Sequence, residues 1–139
     1  MKKNRLVAFL LTLVMLICAA SPISYADNTV QPLRFSDFSS VYAGIYDEGL
    51  GIYTMEGGAT ANSGSKKVVV TLTLEKIVGD KWEAVPGYSW TASGMISAHT
   101  SASRSLSPGT YQAHLHAQVY QGSTLLETAD AYSYVQFVD

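Results

Sequence analysis

The sequence predicts an all-β protein, an antiparallel β-sandwich of seven or eight strands, on three observations. Residues 66–77, KKVVVTLTLEKI, place Val68, Val70, Leu72 and Leu74 on one side and Val69, Thr71, Thr73 and Glu75 on the other, the period of a half-buried strand. β-Branched residues at Val68, Val69, Val70, Thr71 and Thr73 bring stiff χ1 torsions that suit a pleated sheet better than a helix. Turn signals recur at fairly even spacing, and no amphipathic helix pattern interrupts them after residue 27, the rhythm of a sandwich, with a partly open β-barrel as the competing architecture.

Before the strands comes an address. Residues 1–26, MKKNRLVAFLLTLVMLICAASPISYA, start with Lys2, Lys3 and Arg5, run uncharged from Leu6 to Ala20 and end in small residues at Ser24 and Ala26, which is the pattern of a signal peptide. The apolar run of 15 residues falls short of the roughly 20 that cross a bilayer as a helix, so no membrane span is expected once it is cleaved. Cleavage is placed after Ala26, with Ala20 as the alternative. Cys18 would be the acylated residue of a lipoprotein, but the bulky Ile17 before it departs from the small residue of that signal.

Cleavage at Ala26 removes 26 of the 139 residues and leaves 113, the size of one domain. It also takes three of the nine basic residues, leaving six against 11 acidic ones, a net charge of −5. That balance argues against nucleic acid, whose phosphate backbone selects a basic patch. Cys18 is the sole cysteine, so the exported part has neither disulfide nor thiolate and is expected to rest on an apolar core alone. No cofactor is implied.

Residues 27–33 form a polar, proline-containing segment expected as an extended N-terminal arm, and residues 34–139 the single sandwich domain. A first strand is expected within residues 34–46 and a turn at 47–51, DEGLG. Residues 52–61 form a second strand in which Gly57 and Gly58 mark a bulge or a close backbone approach. After the 66–77 strand, Gly79 and Asp80 make a two-residue hairpin. That register sets Trp82 opposite Ile77, Glu83 opposite Lys76 and Val85 opposite Leu74. Pro86 and Gly87 interrupt the returning strand, and an edge, a bulge or a switch of sheet is expected there, because proline donates no ladder hydrogen bond.

A short strand resumes at Tyr88, with Trp90 and Ala92 on its face, and residues 96–106 read as a polar edge strand. Residues 110–120, TYQAHLHAQVY, show the cleanest alternation: Tyr111, Ala113, Leu115, Ala117 and Val119 inward, Gln112, His114, His116, Gln118 and Tyr120 outward. A Gly122-Ser123 hairpin leads into the last strand. Its tight register would set Asp130 opposite Leu115 in the core, so a bulge is expected between Leu126 and Ala131.

The SPGTY run at 107–111 entering a strand, the valine-rich strand ending in LEK and the GDKW hairpin resemble the small exported immunoglobulin-like domains of unknown function found in Gram-positive bacteria. The resemblance spans most of the exported chain and implies fold and export, with no activity to carry over. Tyr111 stands where such domains often carry a corner tyrosine, although the cysteine that follows it in antibody domains is absent here.

The chain holds no G-x-S-x-G elbow, H-E-x-x-H, Walker loop or dinucleotide fingerprint. His114 and His116, two apart on a strand, project to one face and would bind a divalent metal with a third ligand such as His99, an Asp or a Glu, although alternation alone already demands polar residues there. Trp82, Tyr88, Trp90, Tyr120, Tyr132 and Tyr134 are the material for a stacking platform, and equally for a sandwich core. Trp82 is the expected exception to core packing, because it adjoins a hairpin tip. The carboxylates Asp47 with Glu48 and Glu127 with Asp130 read as solvated, and Lys66 and Lys67 as residues that solubilise the ends of an apolar strand.

The expected role is a secreted, non-enzymatic binding or cell-envelope interaction module, monomeric or weakly self-associating. Its preferred surface is the outward face of the 110–120 strand, with Trp82, His114, His116 and Tyr120 as the candidate ligand-binding residues. The expected ligands are a carbohydrate, a peptide or a cell-envelope polymer. The alternatives are an assembly protein pairing through an edge strand and a small metal-dependent hydrolase using His114 and His116.

Overall fold

The computed structural model describes residues 35–139, so the expected signal peptide and arm lie outside the described residues. Among the described residues eight strands follow one another without a helix: β1 (Phe38–Gly49), β2 (Ile52–Ala61), β3 (Lys67–Val78), β4 (Lys81–Met95), β5 (Ser97–Ser105), β6 (Gly109–Gln121), β7 (Thr124–Tyr132) and β8 (Gln136–Val138). They form two antiparallel sheets, β1-β2-β5 and β4-β3-β6-β7, with the short β8 also on β6. The sheets stay open, so the architecture is a sandwich and not a closed barrel. Their order follows the Greek-key plan of immunoglobulin constant domains, in which the first, second and fifth strands face the third, sixth and seventh. The fourth strand departs from that plan by pairing with the third.

The core lies between the two inner faces. Val68, Val70, Leu72 and Leu74 of β3 are all 0 % exposed, as are Leu115, Val119 and Ala117 of β6. Fully burying an aliphatic of this size stabilises by about 1.5–3 kcal/mol, so β3, paired on both sides, anchors the fold. From the other sheet Met55, Ala59 and Tyr53 close over them. Gly57 is the close approach the sequence implied: a Cβ there would lie 2.7 Å from Leu115 Cδ1 and 3.1 Å from Leu72 Cδ1. The ladder passes through Gly57 and Gly58 without a bulge.

The Gly79-Asp80 hairpin has the expected register down to Glu75 opposite Ala84. Val85 does not meet Leu74, because the register slips between Thr73 and Glu75 and residues 85–88 bow out around Pro86 and a positive-φ Gly87. Losing a proline from the ladder costs little here, since β4 is an edge strand. Beyond the bulge the same strand continues, and Tyr88 and Trp90 pack edge-to-face at 6.1 Å against the core. A single residue, Ile96 at φ 72°, then carries the chain from one sheet to the other.

Two local readings are corrected. Lys66 is buried rather than solvated, because its ammonium bonds Asp37 Oδ1 and Asn62 Oδ1, each at 2.6 Å. Glu127 is engaged as well: Oε2 accepts from the Asp37 backbone N–H at 2.7 Å, which ties the entry of β1 to β7. Tyr111 behaves as a corner tyrosine, its hydroxyl donating to the Ser107 carbonyl at 2.8 Å.

The β1–β2 turn offers a test of local chemistry. Gly49 pairs with Ile52, so Leu50 and Gly51 form a two-residue loop with φ of 55° and 73°, the geometry of a type I′ turn. Leucine is ill suited to that conformation, at a cost of about 1–2 kcal/mol, and its side chain is fully exposed. Leu50→Asn is therefore expected to raise the stability by about 1 kcal/mol, read as a higher denaturant midpoint at unchanged slope.

Candidate functional site

Alternation directs Thr71, Thr73, Glu75 and Ile77 of β3 outward, and Gln112, His114 and His116 of β6 with them. Because β3 lies directly beside β6, Glu75 stands opposite Gln112 and Thr73 opposite His114. On the other flank, the hairpin starts with Gln121 opposite Thr124 and Tyr120 opposite Leu125, then skips Leu126, so that Glu127 meets Val119. This is the expected bulge, at the near end of the expected range. One extra residue exchanges the faces of all that follows. Asp130 thereby moves off the core side and stands opposite His116, while Tyr132 stands opposite His114.

The result is a chain of hydrogen bonds across three strands. Gln112 Nε2 donates to Glu75 Oε2 at 2.7 Å, and the other carboxylate oxygen meets His114 Nδ1 at 3.0 Å. His114 Nε2 and His116 Nδ1 both meet Asp130 Oδ1 at 2.9 Å. A carboxylate only accepts, so the imidazolium form of His114, with both nitrogens protonated, satisfies both of its contacts. The Tyr132 ring stacks on His114 at 4.4 Å with 17° between planes. Burial works against ionisation of Asp130, but the hydrogen bonds and charges of His116 and His114 outweigh it and hold the carboxyl below its ordinary range. Burial first, then the charges of Asp130 and Glu75, push the Tyr132 phenol up, so it remains neutral.

Beside this chain lies an open groove of about 420 Å³, lined by Glu75, Trp82, Gln112 and Tyr132. Trp82 is 36 % exposed and Tyr132 56 % exposed. They form aromatic walls on opposite flanks of a polar floor, Trp82 from β4 and Tyr132 from the end of β7. Ile77 pairs with Trp82, and Phe137 pairs with Thr110, which shares the outward face of Gln112. Both Ile77 and Phe137 are exposed. The Glu75 carboxylate has lone pairs beyond the two in use, and the Gln112 amide keeps its carbonyl and a second N–H. Such a floor can both accept and donate.

Of the residues singled out from the sequence, Trp82 and His114 belong to this site, and His116 sits one pair further along the Asp130 link. Tyr120 does not join them: it lies six residues up β6 from His114, roughly 20 Å at strand spacing, with its hydroxyl on Gln118 Oε1 at 3.2 Å. His99 is not a third ligand for the histidine pair. It belongs to β5 in the other sheet, 3.9 Å from Glu56 and stacked near Tyr42. Among the described residues, no group of three or more His, Cys, Asp or Glu side chains is arranged to hold a metal ion. Asp130 is exposed, as its sequence context implied, but it is bonded to both histidines, and Tyr88 and Trp90 face the core rather than any platform.

Sequence reasoning missed Glu75, Gln112 and Asp130 as site residues. The first two were legible as outward-facing, but nothing local says that their strands are neighbours. The signal for Asp130 was the bulge itself, whose consequence is to hand that carboxylate to the histidine face.

Fold and site together define a class: a β-sandwich whose five-stranded sheet carries an aromatic-walled, polar-floored groove on its outer face. Comparison of the chain with protein-family models, curated proteins and solved structures finds no match in any of the three.

Proposed function

We propose that this chain is a secreted, non-enzymatic binding module that holds a sugar ring of a cell-envelope polymer in the groove between Trp82 and Tyr132. The observation that carries the reading is the pairing of two exposed aromatic walls with the Glu75–Gln112 floor. An aromatic face covers the apolar C–H side of a pyranose, while a carboxylate and an amide satisfy its hydroxyls. Export is supported by the signal-like first 26 residues.

The test is retention of the purified domain on insoluble peptidoglycan and on immobilised neutral glycans. Trp82→Ala is expected to weaken retention about tenfold or more, equivalent to the ~1.4 kcal/mol of one lost stacking contact. The thermal midpoint should stay within a few degrees, since Trp82 sits beside an exposed hairpin. Wild-type protein that passes unretained over every polymer, or a variant retained as well as wild type, would refute the assignment.

A further inference from the structure

A sandwich of two open sheets has free edges, and most of those in this domain carry a device that blocks pairing with another chain. β4 has Pro86 and the bulge around it. β7 has the Leu126 bulge and β8 is three residues long. β1 slips register near both ends and is tied to β7 through Glu127. β5 has none of these.

Its nine residues, SAHTSASRS, contain no proline and no lysine, and its ladder with β2 runs without a slip from Ser97 to Ser105. Arg104, its one permanently charged residue, bends back over Trp90 at 5.7 Å and donates to the Ser103 carbonyl at 2.8 Å. The outer edge of the three-stranded sheet thus presents a row of backbone donors and acceptors unbroken by proline or bulge beside small side chains.

We propose that β5 pairs antiparallel with β5 of a second copy, in a register centred on Ser101. The strand is self-complementary in that register. Arg104 faces Ala98 and His99 faces Ser103, so neither of these side chains meets its own copy, and the other positions are serine, threonine or alanine. A shift that sets Arg104 against Arg104 would oppose like charges across the ladder, which is destabilising. Inward residues stay inward on both sides, and the two three-stranded sheets become one of six strands. The contact is small beside the standard interface of about 1,600 Å², so the dimer dissociates readily and shows itself at high concentration. The surface lies on the sheet opposite the groove, and its test does not depend on any ligand.

Because the sequence has no cysteine beyond Cys18, single cysteines placed in the exported chain report the register directly. Under mild oxidation Ser101→Cys is expected to form a disulfide-linked dimer at least tenfold faster than Ser103→Cys, which faces His99 of the other copy, and than Thr91→Cys on β4. In sedimentation equilibrium the wild-type mass should rise with concentration, and Ser101→Lys should stay monomeric with an unchanged unfolding midpoint. A wild-type mass that stays monomeric up to millimolar concentration, or equal cross-linking of Ser101→Cys and Ser103→Cys, would overturn the proposal.

Discussion

Inserting one alanine between Val70 and Thr71 is expected to leave the domain unfolded at 25 °C. The insertion reverses the faces of everything on one side of it, so either Val68 and Val70 or Leu72 and Leu74 turn to water while their polar neighbours turn inward. Two buried aliphatics are then lost, about 3–6 kcal/mol at 1.5–3 each. Burying a threonine hydroxyl or the Glu75 carboxylate without its partner adds to the loss. Domains of this size carry only about 5–15 kcal/mol in all. No bulge can absorb the extra residue, because β3 is paired on both sides, to β4 and to β6. Deleting Leu126 is the control. That residue is the unpaired member of an edge bulge, so its removal joins Leu125 and Glu127 in a continuous ladder and leaves Asp130 opposite His116. Far-ultraviolet circular dichroism through a urea titration distinguishes the two: no cooperative transition for the insertion, a transition near the wild-type midpoint for the deletion.

The second large effect is at the contact of the two sheets. Leu115→Ala is expected to destabilise by about 2–5 kcal/mol, the range for a fully buried leucine whose cavity cannot collapse. Gly57→Ala alone should cost about 1–3 kcal/mol through overpacking, since its methyl would meet Leu115 Cδ1 at 2.7 Å with the Tyr42 carbonyl 3.2 Å away. Together the two changes relieve one another. The double variant is expected to be at least about 1 kcal/mol more stable than the sum of the single losses implies. Strict additivity in chemical denaturation would show that the sheets do not meet at this point.

Much of the scaffold was legible because its signals are local. The two faces of β3 and β6 followed from alternation, the Gly79-Asp80 and Gly122-Ser123 hairpins from turn chemistry, and the Leu126 bulge from the misfit of Asp130 with Leu115. Where reading failed, a distant partner decided the outcome. Lys66 is drawn inward by Asp37, 29 positions away, and Val85 loses Leu74 because residues 85–88 bow out around Pro86. His99 looks like a companion of His114 and His116 in composition, yet it faces out from the other sheet.

By itself the sequence determined that this chain forms strands, which side of each strand seeks the core, and where the chain reverses, because a side chain's direction in a strand depends only on its parity. Only the tertiary structure decided that β3 lies beside β6, that Glu75 therefore reaches Gln112 and His114, that Trp82 and Tyr132 wall one groove, and that β5 is left as a bare edge. Neighbour choice among strands far apart in sequence is set by the summed burial of a shared core, and no local segment carries that sum.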